Sequence, residues 1–246
     1  MAGHSQPRTA IVTGAGKRVG AQIASDLLAD GWTVVAHVRT DDDQVVDGLV
    51  KVAADLAETN CAEVIFGAAA GLPPVRLLVN NAARFAFDDL ASFDGTEFDA
   101  HMAVNVRAPL LLTKAFAAAH QGGDALVVNI LDSKLAAPNP DFLSYTVSKQ
   151  ALAGATELAA RSLASMGIRV NGIAPALMLR SPGQSEENFA AVHRANPLGR
   201  GVDRGDVVAA LRYLVAAPSV TGQVLTIDGG QRFWSLDRDV QFLEKK

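Results

Sequence analysis

Short, almost unbroken apolar runs alternate with longer Ala/Leu-rich stretches, and that alternation limits the chain to few folds. The runs are Thr9–Thr13, Thr33–His37, Val52–Ala54, Arg76–Asn80, Asp124–Leu131, Ile168–Ile173 and Gln223–Ile227. A strand with one wet face alternates apolar and polar residues; one that is apolar throughout is covered on both faces. The stretches between read as helices: about Gly20–Asp30, a short piece near Asp43–Val50, Ala57–Ala70, a long and broken Phe93–Ala119, Ser144–Met166, and Asp206–Ala216. Strands separated by helices pair in parallel. The expected fold is a doubly wound α/β sheet of about seven strands, with helices on both faces. No linker, repeat or low-complexity segment divides residues 1–246, so a single domain is expected.

Composition removes several classes of function. The net charge is −4, and the longest run of like charge is Asp41-Asp42-Asp43, so no nucleic-acid surface is expected. Cys61 is the only cysteine, which excludes an internal disulfide and suits a reducing compartment. It reads as a small buried or half-buried side chain rather than a nucleophile. His4, His37, His101, His120 and His193 lack ligand spacing, so no metal is expected. No apolar run is long enough to span a bilayer, and Met1–Arg8 lacks an apolar signal region. A soluble cytoplasmic protein acting on a small molecule is the expectation.

Three constellations carry chemistry. Thr13-Gly14-Ala15-Gly16-Lys17-Arg18-Val19-Gly20 joins the first strand to the first helix, where glycines admit a tight turn and backbone N–H groups can meet a diphosphate. The second strand ends in His37-Val38-Arg39-Thr40. An acidic residue near this point would take a ribose 2′-hydroxyl; Arg39, with Lys17, suits a 2′-phosphate and hence NADP(H). Asn80-Asn81-Ala82-Ala83 ends the fourth strand, followed by Phe85. That ring is placed either to stack on a planar ligand or to sit in the core.

The third constellation is Tyr145 and Lys149, four residues apart on one helix face, with Asp132 thirteen residues before the tyrosine. A phenol has a pKa of about 10. A lysine ~4 Å away contributes about 4 kcal/mol at an effective dielectric near 20, enough to draw the phenol towards neutrality.

Together with Asn105, Arg169-Val170-Asn171-Gly172-Ile173-Ala174-Pro175 and Thr221-Gly222-Gln223…Asp228-Gly229-Gly230, these motifs resemble the short-chain dehydrogenase/reductases, in order and from about Thr9 to Gly230. The resemblance implies a Rossmann-type sheet and a catalytic set of Asp132, Tyr145, Lys149 and Asn105. It implies NADPH/NADP+ bound by Gly14, Lys17, Arg18, Val19, Gly20, His37, Arg39, Thr40, Asp55, Leu56, Asn81, Ala82, Tyr145, Lys149 and Pro175.

Two departures narrow the resemblance. Arg18 stands where the family's loop usually has glycine, and Asp132 where it has its catalytic serine. Both are similar to pteridine reductases and dihydromonapterin reductases. This implies a pteridine-like substrate held by Arg18, Phe85, Asp132 and Tyr145. A general carbonyl or alcohol oxidoreductase is the alternative, and a non-catalytic NADP-binding scaffold a third reading. The family is usually dimeric or tetrameric through the helices around Phe98–Ala119 and Ser144–Met166, so a homo-oligomer is implied. The loop Leu177–Arg194 shows no motif. The tail Gln231–Lys246 packs either across a subunit interface or on its own subunit.

Overall fold

The computed structural model describes residues 6–180, 184–234 and 236–242. Seven strands form one sheet: β1 (Thr9–Val12), β2 (Thr33–Val38), β3 (Val50–Ala53), β4 (Val75–Asn80), β5 (Ala125–Ile130), β6 (Ile168–Pro175) and β7 (Val224–Ile227). All pairs are parallel, in the order β3-β2-β1-β4-β5-β6-β7. The expected doubly wound α/β fold is what forms. The helices are α1 (Arg18–Ala29), α2 (Cys61–Gly67), α3 (Gly95–Met102), α4 (Ala108–Ala119), α5 (Leu143–Leu163), α6 (Glu186–His193) and α7 (Arg204–Ala216).

Successive strand residues point to opposite faces, so each central strand feeds two cores. Ala10, Val12, Leu77, Val79 and Val128 pack with Ile23 and Leu27 of α1 and Val207 and Leu211 of α7. Their neighbours Ile11, Leu78 and Val127 pack on the other side with Ile65 of α2 and Leu112 and Phe116 of α4. This double burial is why the strands lack polar alternation. Cys61 is buried in the second core, as expected, and burial pushes its thiol pKa up.

Three helical boundaries differ from expectation. Residues 43–49 form turns rather than a helix; the Asp43 carboxylate instead accepts from the Thr40 N–H at 3.2 Å and the Thr40 hydroxyl at 3.3 Å. The helix expected over Ala57–Ala70 contracts to α2, because the Asp55 carboxylate accepts from Ala57 N–H at 2.8 Å and turns the chain first. The long helix breaks at a π-turn, Ala103–Arg107, between α3 and α4. Pro109 has no N–H to close the ordinary bond to the carbonyl of Asn105, and the ladder widens there. The sequence reading missed α6, which Ser185 caps by accepting from Asn188 N–H at 3.0 Å.

Candidate active site

The predicted residues gather at the carboxyl ends of the strands. The chain leaves β1 and β4 in opposite directions across the sheet, and a crevice opens at that switch point. Gly14 turns at φ +66. A Cβ on Gly20 would lie 2.1 Å from the carbonyl oxygen of Gly14 and 2.5 Å from the Asn81 amide nitrogen, so only glycine lets α1 approach this loop. The Thr13 hydroxyl accepts from Asn81 N–H at 2.9 Å and Ala82 N–H at 3.0 Å, and the Asn81 amide donates to the Thr13 carbonyl at 2.8 Å. Val19 and Leu56 are buried. Pro175 ends β6.

His37 is buried, and both of its ring nitrogens bond within the chain. Gly14 N–H donates to its Nδ1 at 3.2 Å, so the proton lies on Nε2, which donates to the Ala54 carbonyl at 2.9 Å. Burial lowers its pKa, and the neutral ring ties the glycine loop to β3. No side chain caps the N-terminus of α1. Its first-turn amides therefore suit a diphosphate. Lys17, Arg18, Arg39 and Thr40 are exposed around it, while Asp55 follows β3. That donor set fits a phosphorylated dinucleotide.

Asp132, Tyr145 and Lys149 come together across β5 and the first turns of α5. The Tyr145 hydroxyl donates to Asp132 Oδ2 at 3.0 Å, and Lys149 Nζ donates to the Ile130 carbonyl at 2.6 Å. Lys149 Nζ lies 5.6 Å from the Tyr145 ring centroid. Burial dominates each group. It raises the pKa of Asp132, lowers that of Lys149 to about 8, and with the Asp132 charge raises that of Tyr145 well above 10. The expectation that Lys149 draws the phenol towards neutrality is therefore reversed: with Asp132 beside it, Tyr145 is held as the protonated phenol. Arg18 opposes this, its charge favouring the phenolate.

Asn105 sits on the π-turn. Its carbonyl oxygen accepts from Arg84 N–H at 2.7 Å; its amide donates to the Arg84 carbonyl at 3.0 Å and to the Ser148 hydroxyl at 2.9 Å. Ser148 donates to the Tyr145 carbonyl at 2.7 Å. Asn105 thus braces both the loop after β4 and the helix that carries Tyr145. Phe85 is 43% exposed, edge-on to Tyr145 at 4.8 Å and stacked on Phe142 at 4.4 Å, which places it at the site rather than in the core.

Several contributors were invisible in the sequence. Asp88, 3% exposed, accepts from Ser144 N–H at 3.0 Å and from the Ser144 hydroxyl, closing the N-terminus of α5. Phe142 precedes that helix at φ +57, and Arg18 stands at φ +55; they are the only non-glycine residues at positive φ among those described. Such conformations cost of order 1–3 kcal/mol, and both flank the site. Asp88 and Ser144 lie 56 positions apart, so no local pattern announces their contact.

No helix of the described residues is long and apolar enough to cross a membrane. Residues 14–232 match the family described as Enoyl-(Acyl carrier protein) reductase. L-xylulose reductase of Bos taurus is 32% identical, the match covering 91% of this chain and 96% of that protein. Pteridine reductase 1 of Leishmania tarentolae is 29% identical, covering 90% and 95%. The solved structure of FolM Alternative dihydrofolate reductase 1 from Brucella canis, complexed with NADP, has a TM-score of 0.85 and 35% identity, covering 93% of this chain and 95% of that one. The chain belongs to the short-chain dehydrogenase/reductase family of oxidoreductases.

Proposed function

We propose that the protein is an NADPH-dependent reductase of a pteridine-like ring. The observation that carries this is the Tyr145–Asp132 hydrogen bond, 3.0 Å long, beside the exposed face of Phe85. A ketone reductase needs a hydroxyl donor for a developing alkoxide. Asp132 in that place accepts when ionised, which suits an N–H-rich ring edge. The pteridine reductase and alternative dihydrofolate reductase relatives support the same reading.

When bound, NADPH supplies the hydride. Lys17 and Arg39 would hold its phosphates, with the open N-terminus of α1. Lys149 would orient the nicotinamide ribose. Tyr145, kept protonated by burial and by Asp132, delivers a proton to the ring nitrogen next to the reduced carbon. Asp132 orients that phenol and accepts from the substrate's amino edge. Phe85 offers a planar stacking surface. We further infer that the protein assembles as two or four copies through α4 and α5, where Leu110, Val147 and Leu158 are exposed.

The L-xylulose reductase relatives favour a second reading, a carbonyl reductase. NADPH oxidation with dihydrobiopterin, dihydromonapterin, dihydrofolate and L-xylulose, measured side by side, separates the two. Turnover of a dihydropterin is expected. Turnover of the sugar with none of the pterins would overturn the proposal. Asp132→Ser is expected to lose pterin turnover and gain activity on simple ketones.

A further inference from the structure

The carboxyl-terminal segment returns to its own active site. The Asp141 carboxylate, 2% exposed, accepts from Arg238 Nε at 2.8 Å and from Asp239 N–H at 2.7 Å. The Asp239 carboxylate pairs with Lys134 Nζ at 2.6 Å, with both side chains largely buried. Lys134 also donates to the Asp141 carbonyl at 3.1 Å, and its ammonium lies 4.8 Å over the Phe142 ring. Phe242 stacks on Phe142 at 6.1 Å and meets Phe87 edge-on at 5.5 Å. Residues 235 and 243–246 of the tail lie outside the described residues.

These contacts meet the catalytic group at one residue. The N–H of Lys134 donates to Asp132 Oδ1 at 2.9 Å, while Tyr145 donates to Oδ2 of the same carboxylate. Lys134 is thus fixed to Asp132 through its backbone and to Asp239 through its side chain. We propose that the segment Arg238–Phe242 belongs to the active site in cis, and that Asp239 is a positioning residue whose charge, seated on Asp141 and paired with Lys134, sets the balance around Asp132 and Tyr145.

The charges facing Tyr145 support this assignment. Asp132 and Asp239 both disfavour its phenolate and Arg18 favours it; Lys134 and Lys149 favour the ionised form of Asp132. With Asp239 neutral, Tyr145 loses one of the negative charges that oppose its phenolate, and the Lys134 ammonium loses one of its counter-charges, in a site with little water to screen them. Ionisation of Tyr145 then becomes easier. The inference rests on the tyrosine chemistry of the family, not on which ring is reduced, and its test uses no substrate.

The chain has two tyrosines, and Tyr213 is 53% exposed on α7. In a Tyr213→Phe background, an ultraviolet titration of the phenolate reads Tyr145 alone. Asp239→Asn is expected to lower its midpoint by roughly half to one pH unit, while Asp239→Glu, which keeps the charge, stays at the parent value. Circular dichroism across the same pH range checks folding. Should the parent unfold before Tyr145 titrates, the comparison is repeated with Asp132→Asn added, which removes the largest charge opposing the phenolate. Equal midpoints for the Asn and Glu variants would overturn the proposal.

Discussion

At the scale of single residues, the active site works against the stability of the fold. Lys149 is buried with a carbonyl as its hydrogen-bond acceptor, and its pKa falls from 10.5 to about 8. Between these values the unfolded chain holds a proton that the folded one has released. Lys149 therefore makes stability rise with pH from about 8 to 10.5, and below 8 it imposes a constant penalty of a few kcal/mol. Lys149→Met is expected to raise the melting temperature at pH 7, by about 1–3 kcal/mol in stability, and the gain should fade towards pH 10.5. Thermal melts across that range check it. Catalysis should move the opposite way. As Lys149 loses its charge, kcat/KM for the accepted substrate is expected to fall through about pH 8. A rate that stays level from pH 7 to 9.5 would show that the ammonium is not required.

At the scale of elements, a helix start and a π-turn hold the site. The N-terminus of α5 carries Ser144 and Tyr145, and it is closed not by a residue of its own turn but by Asp88 from the loop after β4. A carboxylate there also meets the positive end of the helix dipole. Asp88→Ala is expected to cost about 1–3 kcal/mol, measured by denaturant unfolding. It should also loosen Phe85, which lies on the same loop, raising KM for a ring substrate more than it lowers kcat. Asp88→Asn keeps one acceptor and should recover much of both. The π-turn has the matching role at the other side. It presents the Asn105 amide to Arg84 and Ser148, tying the loop after β4 to α5 a second time.

At the scale of the whole molecule, α5 presents a stripe that the described residues leave largely uncovered. Val147, Ala151, Gly154 and Leu158 share one helix face; Leu158 is 69% exposed, and a Cβ on Gly154 would meet nothing within 4 Å. Glycine inside a helix costs about 1 kcal/mol relative to alanine, and no contact among the described residues explains it. A second copy lying across the stripe would. Gly154→Leu is therefore expected to reduce the sedimentation coefficient to that of a single chain while leaving the melting temperature of the isolated subunit unchanged or higher. A native protein that already sediments as one chain would end that expectation.

The apolar runs by themselves determined the doubly wound sheet, since strands covered on both faces cannot hide their composition. Local spacing likewise determined the glycine turn and the Tyr145/Lys149 pair, because neighbours on one turn or one helix face lie close whatever the rest of the chain does. Only the tertiary structure decided the protonation of Tyr145. That depends on burial and on the Asp132 carboxylate reaching it from another element, and both push the phenol up. It also decided that Asp88 closes α5, that the π-turn aims Asn105, and that residues 238–242 return to Asp141 and Lys134. These contacts join residues far apart in the chain, and charge and desolvation act through space, so no pattern along the sequence records them.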